Sequence, residues 1–348
     1  MIPKADGSKR PLGIPTIRDR VAQMAVKLVI EPIFEADFCD NSYGFRPKKS
    51  APDAVHDIGY GLNCGYTDVI DADVSQYFDS IPHAKLLAVV AERIVDGGIL
   101  HIIRMWLKAP VVGEDEDGTR RNIGGGKANT QGTPQGGVIS PLLANRYLHL
   151  LDRLWKPQDL QRRLEARLVR YADDQVILID GYRKWDWLAR AAYKRLLEEL
   201  TKLDVRINIE KTRIVDLTRD ESFSFIGFDL CRRKTWQGKW GVRITPRIKA
   251  RSALLSKLKE VFRRFVSQPV GRVIELINPI LRGWVNYFRV GHSSRCFSYV
   301  RDWVEKKIRR YLMRARNRKG FGWNRWSRGW MYQSLGLYSD YQVRYFRS

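Results

Sequence analysis

The sequence predicts an α+β fold over the first two thirds of the chain and an all-helical, strongly basic region after it. Three observations carry this. Apolar runs of strand length alternate with helical patterns to about residue 244, and after Thr245-Pro246 only helical periodicity remains. Charge divides at the same place. From Thr245 onward there are 24 basic and 5 acidic residues, a net of +19, whereas the preceding residues carry only +5 of the total of +24. Finally, 44% hydrophobic and 29% charged residues describe a chain that buries a core, and 348 residues allow about two domains.

Taken in order, residues 2–15 (IPKADGSKRPLGIP) read as a strand, a turn at Asp6-Gly7 and a second short strand. A helix is expected from Thr16 to Ala36, with Val21, Met24, Leu28 and Val29 on one face. A loop over 39–53 leads to a second helix. Residues 68–74 (DVIDADV) form a short strand with acidic residues at its end, and helices follow at 84–95 and 99–108. The acidic segment 113–118 tips a hairpin, and a Gly-rich connector leads to a helix from Val138 to Trp155. Residues 166–180 (ARLVRYADDQVILID) are two apolar strands joined by a tight acidic turn, followed by a helix over 185–203. Strands near 212–216, 222–228 and 238–244 end the mixed part. Helices over 247–266, 271–289 and 294–316 make the basic part, and 320–348 is an aromatic, basic tail with weak periodicity.

A nearly balanced body joined to a basic third points to a polyanion partner and away from a small-metabolite enzyme. Cys39, Cys64, Cys231 and Cys296 are widely spaced with no C-x-x-C pair, which argues against a zinc ribbon and against a disulfide framework. There is no signal-peptide pattern and no run of about 18 apolar residues, so no membrane span is expected and the location reads as cytoplasmic. Gly124-Gly125-Gly126-Lys127 is not a P-loop, because Ala128 stands where Ser or Thr is required.

The informative tetrapeptide is Tyr171-Ala172-Asp173-Asp174, held between apolar strands. Adjacent carboxylates repel and raise one another's pKa, a cost that a bound divalent cation removes. Read blandly, it is a solvated turn, in which Asp is common. A second acidic strand end changes the balance. Alternation puts Asp71 and Asp73 on one face of 68–74, with Asp73 nearer the end. Asp73, Asp173 and Asp174 together are the set that two-metal nucleotidyl transfer requires.

On these residues the chain resembles the group II intron reverse transcriptase/maturase family. The resemblance covers nearly the whole chain through IPKADGSKRPLGIPTIRDRVAQ (2–23), SYGFRPKKSAPDAV (42–55), DADVSQYFDSIPH (71–83), QGTPQGGVISPLLANRYLHLLD (131–152), RYADD (170–174), INIEKTRI (207–214), FSFIGF (223–228) and NPILRGWVNYF (278–288), in family order. It implies a polymerase right hand: fingers and a palm with an antiparallel sheet over 1–244, a helical thumb or maturase domain over 245–316, and a basic aromatic tail over 317–348. It implies RNA-directed DNA synthesis with two Mg²⁺ ions, Mn²⁺ being a substitute, held by Asp73, Asp173, Asp174 and the Val74 carbonyl.

By the same resemblance, Lys4 and Arg10 hold the incoming triphosphate, Gln135 lies against nucleotide and template, and Tyr77 or Phe78 is the gate against a ribose 2′-hydroxyl. Lys211 is placed to protonate pyrophosphate, and Phe225–Phe228 grips the primer. Arg46 and Lys48 in the fingers loop are expected on nucleic acid, as are Arg251, Lys257, Arg263, Arg264, Arg282, Arg309, Arg310 and Arg314 in the basic third. Trp284, Tyr287 and Phe288 read as core, and Trp323, Trp326 and Trp330 as stacking surfaces for RNA. The partners implied are a structured intron RNA, template RNA, a DNA primer or target and dNTPs, with no membrane and with a homodimer left open. Relative to the family the chain starts within the fingers, and no endonuclease follows the thumb, so target-strand cleavage is not expected. The alternatives are a non-catalytic RNA-binding splicing factor of the same fold, or a related reverse transcriptase in a defence or CRISPR system.

Overall fold

The computed structural model describes residues 13–114, 117, 119–155, 166–182 and 186–344, and the backbone of 2–3 and 9–10. The chain divides into two compact units, residues 1–54 with 64–216 and residues 55–63 with 217–348.

The first unit opens with β1 (Ile2–Pro3) paired antiparallel to β2 (Lys9–Arg10). Helix α1 (Ile17–Glu35) follows, started by the Thr16 hydroxyl, which accepts from the Asp19 amide at 3.1 Å. Helix α2 (Ala51–Asn63) begins in this unit and ends in the other. Then come β3 (Asp68–Asp73), the single turn α3 (Tyr77–Ser80), α4 (His83–Ala91) and α5 (Gly97–Leu107). The hairpin of β4 (Val111–Glu114) and β5 (Arg120–Gly124) leads on to α6 (Ser140–Leu154). β6 (Ala166–Tyr171), β7 (Asp174–Ile179), α7 (Asp186–Lys202) and β8 (Arg213–Asp216) complete the unit.

Four of these strands form one antiparallel sheet in the order β6-β7-β3-β8. On one face Ile70, Ala72, Leu168, Ile177 and Ile179 pack in a single core with Leu86 and Val90 of α4, Leu143, Tyr147 and Leu151 of α6, and Ala192, Leu196 and Leu200 of α7. Helices thus cover one face of an antiparallel sheet, the α+β arrangement expected.

In the second unit β9 (Ser222–Phe225), β10 (Phe228–Lys234) and β11 (Trp240–Pro246) form a sheet in the order β11-β10-β9. After Pro246 come helices α8 (Ile248–Arg264), α9 (Val270–Phe288) and α10 (Ser294–Arg314), then the short α11 (Arg328–Gln333) in the tail. α9 buries Val273, Ile274, Ile277, Leu281, Val285 and Phe288, a helical stripe that packs with Leu254, Leu258 and Phe262 of α8 and Phe297, Val300 and Val304 of α10 as the buried side chains of the helical part. Cys39, Cys64, Cys231 and Cys296 form no disulfide. Among the described residues no helix is long and apolar enough to cross a membrane.

Two expectations need correction. The apolar face read on α1 is the outward one: Val21, Met24, Leu28 and Val29 are exposed, and the helix buries Gln23, Ile30 and Phe34 instead. Periodicity shows that a stripe exists, not which of two apolar stripes meets the core. Second, residues 222–228 are not one strand. Ile226 and Gly227 adopt φ of 38° and 88° and turn β9 back onto β10, with Phe225 opposite Phe228. Two positive φ values suit a two-residue hairpin turn, but β-branched Ile226 gives no sequence signal for it.

Candidate active site and nucleic-acid interface

The sheet register builds the acidic site. β3 pairs with β7 so that Asp73 lies directly opposite Asp174, and β6 pairs with β7 so that Tyr171 also faces Asp174. Directly opposed residues bring their Cβ atoms to about 5 Å. Ala172 and Asp173 are the two turn residues between the strands, and Ala172 takes a left-handed φ of 57°. Asp71, two residues back on the same face of β3, faces Arg213 of β8 and pairs with it at 3.6 Å. The Asp174 carboxyl is pushed up to about 7, first by loss of hydration and then by the carboxylates of Asp173, Asp73 and Asp71, while Lys211 pulls it down. Asp174 keeps accessible surface, so the loss of hydration is partial and the crowding of like charge supplies the rest.

Residues 206–212 are laced to the end of β3. The Ser75 amide donates to the Arg206 carbonyl at 2.8 Å, the Asn208 amide to the Asp73 carbonyl at 2.8 Å, and Val74 bridges Ile207. This brings the Lys211 ammonium to 3.2 Å from the Asp73 carboxylate. In this arrangement no three acidic, His or Cys side chains among the described residues draw in to one point as a metal cage. The donor set nevertheless suits a hard divalent cation. All the crowded groups are carboxylates, one is held far above its ordinary pKa by burial and then by its neighbours, and a cationic side chain already answers Asp73.

The turn is held by a buried network that no sequence pattern announces. Arg170, fully buried, donates from Nε and Nη2 to the two oxygens of Asp152 at 2.8 and 2.5 Å, and from Nη1 to the Ala172 carbonyl at 2.9 Å and the Asn145 Oδ1 at 3.0 Å. Asn145 in turn donates to the Gly44 carbonyl at 2.6 Å. The Tyr43 amide donates to the Arg170 carbonyl at 2.8 Å, which lays residues 41–44 along the strand. Gly44 presses so closely on the turn that a Cβ there would come within 2.3 Å of the Ala172 nitrogen.

Gln135 is half-buried, and its Nε2 donates to both carboxylate oxygens of Asp79 at 3.2 and 3.1 Å. Its loop is clamped to α3 by the Thr133 amide on the Phe78 carbonyl at 2.7 Å and the Gly132 amide on the Ile81 carbonyl at 2.8 Å. The buried Gln23 Oε1 accepts from the Val138 amide at 2.8 Å. Tyr77 is buried, its hydroxyl donating to the Ala144 carbonyl at 2.7 Å, and burial pushes its phenol far above the usual range. Phe78 is half-buried beside it, ring centres 5.7 Å apart. A cleft of about 980 Å³ opens beside this edge, lined in part by Ser75, Gln76, Asp79 and Arg206. Lys4 lies outside the described residues, as does the side chain of Arg10.

Of the residues expected on nucleic acid, Lys48, Lys257, Arg263, Arg264, Arg282, Arg310 and Arg314 are exposed, and Arg251 lies half-buried over the Tyr299 ring at 4.5 Å. Arg46 and Arg309 turn inward. Arg46 grips the Glu35 carboxylate and donates to the carbonyls of Cys39 and Ser42 at 2.6 and 2.8 Å. Arg309 donates to the Trp326 carbonyl at 3.0 Å, sits 3.5 Å from Glu305 and covers the Trp323 ring at 4.3 Å. Trp326 is buried rather than offered to a ligand, while Trp323 is exposed. Trp284 packs on Phe288 at 4.7 Å and Phe297 at 5.9 Å, as a core residue would. Between α8 and α10 a cleft of about 510 Å³ gathers Lys259, Arg263, Lys307, Arg310 and Arg314, with Phe262 and Tyr311 among its walls. Burial and then the charges of Arg310, Lys259 and Arg314 depress the Lys307 ammonium, as expected of cations gathered together.

At the hairpin between β9 and β10, the Tyr287 hydroxyl donates to the Ile226 carbonyl at 2.8 Å, and Phe228 stacks on Tyr287 at 5.8 Å.

Comparison with known proteins agrees with this geometry. Residues 2–230 match the family described as reverse transcriptase (RNA-dependent DNA polymerase), and residues 251–329 match the group II intron, maturase-specific domain. The chain belongs to the group II intron reverse transcriptase/maturase family. Its relatives include Protein YkfC of Escherichia coli, 35% identical over 72% of this chain and 71% of that protein. The group II intron-encoded protein LtrA of Lactococcus lactis is 27% identical over 83% of this chain and 60% of its own length. An uncharacterized 91 kDa protein in the cob intron of Schizosaccharomyces pombe is 27% identical over 86% of this chain, which spans only 44% of it. Among solved structures, telomerase from Candida tropicalis in complex with a telomeric RNA fragment is similar at a TM-score of 0.47 and 14% identity, over 78% of this chain and 46% of that one. The family membership assigns the reverse transcriptase match to the region carrying the aspartates and the maturase-specific match to the region carrying the basic cleft.

Proposed function

We propose that the chain is an RNA-directed DNA polymerase that uses two metal ions and also assists the splicing of a structured intron RNA. The observation that carries the reading is the register that sets Asp73 opposite Asp174, with Asp173 at the adjoining turn. Mg²⁺, or Mn²⁺ in its place, would be held by these three carboxylates and the Val74 carbonyl, where it would acidify a primer 3′-hydroxyl and stabilise departing pyrophosphate.

The chain's own residues do the rest. Arg170 and Gly44 fix the turn that presents Asp173. Lys211, already on Asp73, is placed to give a proton to pyrophosphate as the charge at the carboxylates changes. Asp79 orients Gln135 toward nucleotide and template. Phe78, half-open where Tyr77 is buried, is the better gate against a 2′-hydroxyl. Lys4 and Arg10 hold the triphosphate. The exposed cations of the basic cleft neutralise RNA phosphates.

The test is primer extension on an RNA template with dNTPs and Mg²⁺, beside the Asp173→Ala/Asp174→Ala double variant and reactions with rNTPs. Extension by the natural chain alone, with dNTPs preferred, supports the reading. Salt-sensitive RNA binding without extension would sink the polymerase and leave a splicing cofactor.

A further inference from the structure

The second unit carries a projection that the catalytic reading does not use. β10 and β11 pair along their whole length, from Phe228 opposite Pro246 to Lys234 opposite Trp240. β9 reaches only as far as Cys231. Arg232–Lys234 and Trp240–Val242 therefore stand out as a two-stranded ribbon. Along one face the pattern changes from root to tip. Phe228, Leu230, Ile244 and Pro246 are buried, and Arg232, Lys234 and Trp240 continue the same face outward. The Arg232 guanidinium and the Lys234 ammonium lie 5.6 and 5.4 Å from the Trp240 ring centre.

At the tip the Gly238 amide donates to the Thr235 carbonyl at 2.9 Å and the Thr235 amide to the Lys239 carbonyl at 2.7 Å, with Gly238 at φ 78°. Trp236 occupies the corner of this tight turn and is 92% exposed. From Cys231 to Arg243 there are five cations and no carboxylate. An indole held out on a ribbon, ringed by cations, makes a poor core residue and a good stacking platform. Paired bases in a duplex offer no free π face, whereas an unpaired base does, and its neighbouring phosphates match the surrounding charge.

We propose that the β10–β11 ribbon is a separate contact for unpaired RNA. Trp236 stacks on an exposed base, Lys234 and Lys239 hold the flanking phosphates, and Trp240 is a second platform steadied by Arg232. The inference rests on the reading that this chain binds RNA, and it adds a site built by the second unit.

The test uses the full chain and fluorescence anisotropy with two labelled probes, an unstructured RNA oligonucleotide of about 20 nucleotides and a blunt RNA duplex of equal length. Trp236→Ala weakens single-strand binding about tenfold and leaves duplex binding within about twofold, while Trp236→Phe keeps most of the affinity. Lys234→Ala/Lys239→Ala flattens the dependence of log affinity on log salt by about 1.4 for the single strand. Unchanged melting temperatures exclude misfolding as the cause. The proposal is overturned if Trp236→Ala binds the single strand like the natural chain, or loses both probes equally. It is also overturned if the substitution alters only self-association or binding to anionic lipid vesicles. A natural chain that binds neither probe fails the functional reading as well. A natural chain that binds RNA and extends primers, beside a Trp236→Ala variant that does the same, fails this inference alone.

Discussion

The Arg170 guanidinium closes on the Asp152 carboxylate through two hydrogen bonds, with both side chains wholly buried. Nη1 also reaches the carbonyl of Ala172 in the turn between β6 and β7, and the other donors go to Asn145 and Ser42. Arg170→Met leaves Asp152 buried and unpaired, and should cost about 3–5 kcal/mol of stability. Arg170→Met/Asp152→Leu should recover most of the melting temperature without restoring primer extension, because the turn carbonyl still lacks its donor. Equal recovery of stability and extension would show that the pair does not position the turn.

The crowded carboxylates predict a specific response to cations. Thermal melts of the natural chain should rise by several degrees on adding millimolar Mg²⁺, because a ligand bound only by the folded state stabilises it. The rise should disappear in Asp73→Asn/Asp174→Asn, whose starting melting temperature should be no lower than that of the natural chain, since like-charge repulsion has been removed. Chelation should abolish extension in the natural chain.

The two neighbouring aromatics should separate in assay. Phe78→Val should raise rNTP use relative to dNTPs by tenfold or more while leaving the fold intact. Tyr77→Phe removes a buried hydrogen bond, costs about 1 kcal/mol and should leave sugar choice unchanged. The ratio of extension rates with the two nucleotide sets decides it.

His149 is buried against Phe38, ring centres 5.5 Å apart, and burial pushes its imidazole down to about 4. Its folded pKa lies below the unfolded value of about 6.5. The unfolded chain therefore takes up this proton first, and stability is lost as pH falls from about 6.5 to about 4. His149→Gln should flatten the melting temperature against pH across that window, with less change above pH 7.

Ile226 sits at φ 38°, a region costly for a β-branched residue. Ile226→Asn should raise stability by about 1 kcal/mol if relief of strain outweighs the reduced apolar packing. The measurement is a chemical denaturation midpoint. Because the Tyr287 hydroxyl holds the Ile226 carbonyl rather than its side chain, the hairpin should survive the change.

The acidic strand ends were legible because a strand's period of two and a tight turn are local facts. Asp71 and Asp73 fall on one face from alternation alone, and Asp173-Asp174 fall at a turn because two apolar runs flank them. The positioning layer was not legible. Arg170 precedes the turn and reads as one more basic residue until α6 brings Asp152 and Asn145 against it from earlier in the chain. Asp79 and Gln135 are likewise far apart in sequence and meet only through the loop clamped on α3. Arg309 was misread for the reverse reason: a basic cluster looks like a phosphate surface until one member is found paired with Glu305 in the helix interior. Trp236 carried no signal, since nothing local says that β9 ends before β10 does.

The strand order β6-β7-β3-β8 also has a consequence in time. β3 is made early, at residues 68–73, yet both of its neighbours come much later, β7 at 174–179 and β8 at 213–216. During synthesis Asp73 must wait on a strand with open edges while about a hundred residues are added before β7. Long-range pairing of this kind closes slowly and leaves edges open to wrong partners. A ribosome paused just before residue 216 would hold a chain with Asp73, Asp173 and Asp174 made and the four-stranded sheet unfinished, so the acidic strand ends are fully framed only once β8 has been added.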